Sequence, residues 1–450
     1  MTATIPNNLE PLWMPFSWNR ELKQNPMLVS HAEGVNYTTP AGKKILDSAS
    51  GLWCSNAGHC QPHIASAIAT AAQTLDYVPS FTFSHPDAFN AANQLTQLAP
   101  DNLSYAFFSC TGSEAVDTAI KIALAYHNAT GQKQRSRIVA RQRGYHGVNI
   151  GGTSLSGIHK NRAQFANLMP YVSHLRHAYL PEQDRFSRGQ PPHGAELADD
   201  LESIAQTYGP DTIAAVIVEP VSGSAGVFAP PVGYLERLRE ICDRHGILLV
   251  FDEVITAFGR IGHPFAAQRF GVTPDMITCA KGLTNGAFPV GATICDGKIY
   301  DALLAHAEKN GEMIELFHGT TYAAHPVGAA ALLATLEFYE RENLFQRARD
   351  LEPVFEDEIH ALRDAPNVAD IRNIGLMGAV ELKSREDGMG RRAFEVVRRC
   401  FEHGDGDKNT RGLMVRSTGD TLAFSPPLIA AADDIREIFA VVRASLGAVS

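Results

Sequence analysis

The sequence predicts an α/β protein built on a mainly parallel sheet. Continuous apolar runs of strand length recur through the middle of the chain, and segments with apolar residues at helical spacing alternate with them. The runs at 213–220, 247–254 and 276–280 also carry or meet polar residues at their carboxyl ends: Glu219, Asp252 and Lys281. Ligands bind beyond the carboxyl ends of strands in sheets of this kind, so one pattern predicts both the fold and the rim that holds its site.

In chain order, YAFFS (105–109) reads as a strand that runs through Cys110-Thr111-Gly112-Ser113 into a helix over 114–128. RIVAR (137–141) is a second strand, followed by the turn QRGYHG (142–147). IAAVIVEP (213–220) is a third. The segment 232–246 after it has apolar residues at helical spacing and ends on Gly246, a helix stop. ILLVFDEV (247–254) and MITCA (276–280) complete the strand series, and Lys281 follows at once. Strands joined through a helix lie parallel with a right-handed crossover. After about residue 326 the pattern changes to an Ala-rich helix (327–340), further helical segments, and the apolar stretches MGAVEL (377–382) and LMVR (413–416). The expected organisation is an N-terminal segment, 1–60, joining a smaller α+β domain formed by 326–450, with a large domain over 61–325. FEHGDGDKNTRG (401–412) reads as a solvated loop.

The 450 residues carry 39 Lys+Arg against 49 Asp+Glu, a net charge of −10. That balance disfavours nucleic acid, whose phosphates need a basic face. Seven cysteines are scattered with no CxxC pair, which points to reduced thiols rather than a zinc knuckle or redox pair. The opening stretch lacks the basic and apolar regions of a signal peptide. The longest apolar stretch, near 327–336, is far short of the ~20 residues that cross a bilayer. The expectation is a soluble cytoplasmic protein.

Each rim residue has an ordinary reading beside a chemical one. The Thr111-Gly112-Ser113 turn is either an N-cap backed by Glu114 or a phosphate cradle at a helix start. Asp252 follows four apolar residues, so it needs a cation: an Arg or Lys of the fold, or a protonated ring nitrogen. Glu219 before Pro220 can be a local hydrogen-bond acceptor. Lys281, between TCA and GLTNG, reads as a partly buried amine, and a desolvated lysine condenses with an aldehyde. A phosphate cradle, a ring-nitrogen carboxylate and an amine together fit pyridoxal 5′-phosphate.

VFDEVITAFGRIG (250–262) followed by Lys281-Gly282 resembles the signature of the class III pyridoxal-phosphate aminotransferases, and more narrowly the β-alanine:pyruvate, or ω-amino-acid:pyruvate, transaminases. WMPF (13–16), DSASGLWCSNAGH (47–59), LDYVPSF (75–81), RGYHGVNIGGTSLSGI (143–158), VIVEPVSGSAGV (216–227) and TYAAHPV (321–327) carry the resemblance along nearly the whole chain. It implies fold type I, with a mainly parallel seven-stranded sheet in the large domain. It further implies that Lys281 holds the cofactor and shuttles a proton, and that Asp252 keeps the pyridine nitrogen protonated. Gly112 and Ser113 would bind the phosphate, and Thr321 would reach it from a neighbouring subunit. Tyr145 would stack on one ring face and Ile255 pack on the other, with Glu219 alongside. Trp53 would wall the substrate pocket near Phe16, Phe81 and Ala225, and Arg416 would grip a carboxylate with two prongs. A homodimer or a dimer of dimers follows from the shared site. No metal, nucleic acid or membrane is expected.

Three departures from the family pattern stand out: Cys110 in place of glycine, Ala423 in place of glutamine, and a longer polar stretch over 404–412. The implied activity is a ping-pong transfer of an amino group from an ω-amino acid or amine to pyruvate. Taurine:pyruvate or diamine transamination, an aminomutase and a decarboxylase are alternatives on the same cofactor. A nicotinamide-dependent oxidoreductase is disfavoured because the chain has no GxGxxG.

Overall fold

The computed structural model describes residues 8–407 and 410–449. A seven-stranded sheet forms its centre: β1 Leu103–Ser109, β2 Arg137–Arg141, β3 Val172–Leu175, β4 Ile213–Val218, β5 Leu248–Asp252, β6 Met276–Cys279 and β7 Gly291–Asp296. The order across the sheet is β1-β7-β6-β5-β4-β2-β3. Five neighbours, from β6 to β3, run parallel. β7 runs antiparallel to both β1 and β6. Every residue of β4 and β5 is buried, which is why these strands read as unbroken apolar runs rather than alternating ones.

Helix α1, Gly112–Ala129, follows β1 directly. Thr111 Oγ1 accepts the Glu114 N–H at 3.1 Å, and Glu114 Oε2 accepts the Cys110 N–H at 2.7 Å, a reciprocal cap. Helix α2, Tyr234–His245, buries Tyr234, Leu235, Leu238, Ile241 and Cys242, the three-and-four spacing of an amphipathic helix. Each such buried aliphatic side chain contributes roughly 1.5–3 kcal/mol. Helix α3, Pro326–Arg341, packs on the helices Pro62–Thr74 and Pro86–Leu98.

Two four-stranded sheets flank this centre. One joins the N-terminal strands His31–Glu33, Asn36–Thr38 and Lys44–Asp47 to Gly412–Met414, with Leu46 opposite Leu413 in parallel register. The other is antiparallel, in the order Val368–Ile374, Met377–Leu382, Thr421–Phe424, Arg416–Thr418. The stretch 413–416 is therefore not one strand. It breaks at Val415 and feeds two different sheets. Of the polar stretch 404–412, residues 404–407 follow the helix Arg391–Glu402, and residues 408 and 409 lie outside the described residues. All seven cysteines are free thiols. Among the described residues no helix is long and apolar enough to cross a membrane.

Candidate active site

Four elements deliver polar side chains to the carboxyl edge of the central sheet. Asp252 is the last residue of β5 and is buried. Its Oδ2 lies 2.8 Å from His146 Nδ1, and its Oδ1 accepts the Val254 N–H at 3.2 Å. The carboxylate is thereby fixed from below by an imidazole that is itself fully buried. Glu219, just past β4, is equally buried, and its two oxygens accept the N–H groups of Tyr145 and Gly223 at 2.9 and 3.0 Å. Burial pushes the Glu219 carboxyl above the ordinary range, with the nearby Asp252 adding to the effect and His146 opposing it. Glu219 thus ties the turn that carries Tyr145 to the loop that carries Ala225.

Lys281 follows β6 and stands in the left-handed region, φ +51°. A non-glycine residue there costs on the order of 1–3 kcal/mol and persists only when its surroundings over-determine it. Here the Gly286 N–H donates to the Lys281 carbonyl at 3.2 Å, and Leu283 N–H to Ala280 at 3.0 Å. Burial pushes the Lys281 ammonium below the ordinary lysine value. Cys54, Asp252 and Glu219 pull it back up, and Arg416 pushes it further down. An amine so placed is more often neutral, the form that attacks a carbonyl.

The start of α1 closes against these strand ends. A Cβ on Gly112 would lie 2.8 Å from Val254 Cγ2 and 3.5 Å from the Cβ of Ala280, so only glycine lets the helix approach the segments after β5 and β6. On the other side, a Cβ on Gly147 would come within 2.5 Å of Ser113 Oγ, which accepts the Val148 N–H at 3.1 Å. The first-turn N–H groups of a helix have no carbonyl upstream to accept them. The cap formed by Thr111 and Glu114 engages Cys110 and Glu114 themselves and leaves the Gly112 and Ser113 N–H groups for an anion. The ordinary reading of this turn is realised, and the donors it leaves open are those the chemical reading requires. Donors at a helix start, a half-buried amine and a buried carboxylate backed by imidazole fit the phosphate, aldehyde and ring nitrogen of pyridoxal phosphate.

Arg416 begins the strand Arg416–Thr418, opposite Ala423. Burial lowers its pKa, while Tyr145 and Glu219 support the charge. No carboxylate forms an ion pair with it among the described residues. Ile255 and Trp53 lie in one apolar cluster with Val227, Ala379 and Ala423. Trp53 is 1% exposed, at φ +64°, and its Nε1–H has no acceptor among the described residues. Ala225 is half-buried in the tight loop whose ends pair as Ser222 and Phe228.

Three of the expected residues stand apart from this group in the single chain. Phe16 is 80% exposed and Phe81 60% exposed. Thr321 is exposed too, and its carbonyl accepts the Tyr77 hydroxyl at 3.1 Å. Conversely, His146 and Arg141 belong to the site but carry no role in the sequence reading. Arg141 is buried at the end of β2 and donates from Nη2 to the Glu219 carbonyl at 2.6 Å and to Ser222 Oγ at 2.8 Å. Their positions, Arg141 ending a buried strand and His146 just after Tyr145 in the following turn, do not by themselves announce their partners.

Comparison with known proteins agrees with this geometry. Residues 17–446 match the family described as Aminotransferase class-III. An omega-aminotransferase of Caulobacter vibrioides is 52% identical over 443 residues, covering 98% of both chains. A beta-alanine–pyruvate aminotransferase of Pseudomonas aeruginosa is 46% identical, covering 98% of this chain and 97% of that one. A crystal structure of the omega transaminase from Pseudomonas jessenii in complex with PMP superposes with a TM-score of 0.89 at 30% identity, covering 97% of this chain and 95% of that one.

Proposed function

From a chain that belongs to the class III aminotransferases, and is therefore a pyridoxal-phosphate-dependent transaminase of fold type I, we propose an enzyme that moves an amino group from an ω-amino acid or amine, such as β-alanine, to pyruvate. The products are alanine and an aldehyde, semialdehyde or ketone, formed in a ping-pong exchange. The observation that carries this reading is Arg416. A half-buried guanidinium with no carboxylate in ion-pair contact among the described residues is open to a substrate carboxylate, and this one stands beside Tyr145 on the rim that holds Lys281. A substrate carboxylate supplies the missing charge, and a guanidinium binds it through two parallel hydrogen bonds.

When bound, pyridoxal phosphate supplies an electron sink for the negative charge that develops on the donor carbon. The chain's own residues do the rest. Gly112 and Ser113 hold the phosphate, joined by Thr321 of the partner subunit. Asp252 holds the proton on the ring nitrogen, and His146 keeps that carboxylate in place. Tyr145 and Ile255 confine the ring between them. Lys281 would hold the cofactor through its aldehyde carbon and, once the donor amine has taken its place there, its freed amine would carry a proton off the donor carbon and deliver it to the former aldehyde carbon. Trp53 and Ala225 shape the space above, with Phe16 and Phe81 brought in by the partner subunit. An ω-donor keeps its carboxylate farther from the reacting carbon than pyruvate does, so an Arg416 that swings in and out serves both.

The exposed group of Tyr77, Phe81 and Tyr322 around Thr321 supports a homodimer. The seven free thiols support a reducing, cytoplasmic location. The pairing of Lys44–Asp47 with Gly412–Met414 supports the division into an N-terminal segment of 1–60 allied to a small domain of 326–450, around a large domain of 61–325.

The test is a pair of half-reactions. Candidate amines added singly, without acceptor, should bleach the cofactor's visible absorption, and pyruvate should restore it with one alanine per site. Arg416→Ala should raise the KM for pyruvate by about 10- to 100-fold, the loss of a charge-assisted contact of roughly 1.5–3 kcal/mol. An unchanged pyruvate KM contradicts the role given to Arg416. Turnover of the donor without alanine formation points instead to an aminomutase or decarboxylase.

A further inference from the structure

One row of the smaller antiparallel sheet links two functional places. Arg372 pairs with Ala379, Ala379 with Ala423, and Ala423 with Arg416. Directly opposed residues of an antiparallel sheet project to the same face, so Arg372 and Arg416 stand at the two ends of one row with two alanines between them. Over those alanines lie Trp53, Ile255 and Val227, in the same apolar cluster.

Arg372 is only 3% exposed and is held rigidly. Its Nη1 donates to Asp370 and, at 2.8 Å, to Glu381, while Asp370 also accepts the Tyr179 hydroxyl. From this fixed position its Nε–H donates at 3.0 Å to the carbonyl of Gly226, and its guanidinium carbon lies 4.1 Å from the Phe228 ring centroid. Gly226 follows Ala225 in the loop that Ser222 and Phe228 close with two backbone hydrogen bonds of 3.0 Å. The approach leaves no room: a Cβ on Gly226, at φ +128°, would stand 3.1 Å from Arg372 Nη2 and 3.4 Å from Thr421 Cγ2. The base of the loop is anchored separately, through Gly223 to Glu219 and Ser222 to Arg141. Within the loop the Gly226 and Val227 N–H groups donate to the Gly223 carbonyl at 3.1 and 3.2 Å, and Arg372 is the side chain that ties this tip to the small sheet.

We propose that Arg372 is a positioning residue for donor length: by holding the Gly226 carbonyl from the sheet row that carries Arg416, it fixes the span between Ala225 and the backbone from which the Arg416 side chain reaches the donor carboxylate. This rests on the reading that Ala225 and Arg416 line the donor pocket. The row is stiff because its middle is packed and its Arg372 end is charge-paired, so the span from Ala225 to the Arg416 backbone stays a fixed gauge while the Arg416 side chain moves from it.

The experiment measures kcat/KM for a series of ω-amino acids of increasing length, from β-alanine through 4-aminobutanoate to 6-aminohexanoate, using the holoenzyme. Arg372→Met should change the ratio of long to short donors by about tenfold or more, the scale at which a pocket discriminates by a methylene, and Arg372→Lys should restore part of it. Equal losses for every donor, with a lowered melting temperature, indicate a purely structural residue and overturn the proposal. Should Arg372→Met fail to fold, Gly226→Ala presses on the same contact while leaving the ion pairs intact, and is judged by the same ratio. Ala225→Leu separates the two layers of inference. If it shifts the donor series and the Arg372 and Gly226 variants do not, the gauge is wrong and the pocket right. If it leaves the series unchanged, Ala225 does not line the pocket and the gauge falls with it.

Discussion

At the scale of single residues, the proposed site places ionisable groups where water shields them less. Lys281 is half-buried there, and that burial lowers its pKa below 10.5. A lysine so depressed subtracts from folded-state stability as pH falls from its unfolded value through its folded one, since the unfolded chain takes up the proton more readily. Apo Lys281→Met should therefore melt at a higher temperature than the apo wild type at pH 7, and the gain should vanish as pH approaches 10.5. Thermal melts of the two apo proteins across that range check it. The same variant should lose at least ~10²- to 10⁴-fold in turnover, the range of general acid–base transfer alone. His146→Gln removes a hydrogen bond to a buried carboxylate and should cost about 10- to 100-fold in kcat/KM, the equivalent of roughly 1.5–3 kcal/mol. Lys281 and Asp252 were legible in the sequence because each abruptly ends an apolar run. His146 was not, because its partner lies 106 positions away and nothing local in a turn histidine announces it.

At the scale of elements, a helix start and two strand ends must meet within van der Waals contact, and glycines permit it. Gly147→Ala should push on Ser113 and raise the dissociation constant for pyridoxal phosphate about tenfold, read by equilibrium titration of the apo protein, if even one phosphate contact of about 1.5 kcal/mol is lost. The same clash, at a backbone position of φ +99°, should also lower the apo melting temperature. Strands β4 and β5 were legible because both faces are buried. β3 is a four-residue edge strand with only Leu175 fully buried, and β7 opens on glycine after a turn-rich stretch. Neither stands out in the sequence for that reason. The break at Val415 was hidden too, since an apolar residue serves equally in a strand or between two.

At the scale of the whole molecule, the single chain leaves the proposed site unfinished. Phe16, Phe81 and Thr321 are exposed, while the rest of the constellation is gathered in one place. Light scattering should give twice the chain mass or a multiple of it. Phe81→Asp should yield a monomer that holds pyridoxal phosphate weakly, as the proposal that Thr321 of the partner subunit reaches the phosphate requires. A monomer that binds the cofactor at full strength contradicts the shared site. Exposure of this kind depends on which faces a fold leaves uncovered, so periodicity could not reveal it. The motifs could, and only through their resemblance to a family.

The central claim is that the amine of Lys281 holds the cofactor across from Asp252. Reduction of the cofactor-loaded protein with borohydride fixes the bond between them, and peptide mass spectrometry then locates it. The account predicts one pyridoxyl phosphate per chain, on the peptide containing Lys281, and its loss when an amine donor is added before the reductant. A label on another lysine, or no label after full loading with the cofactor, would contradict it.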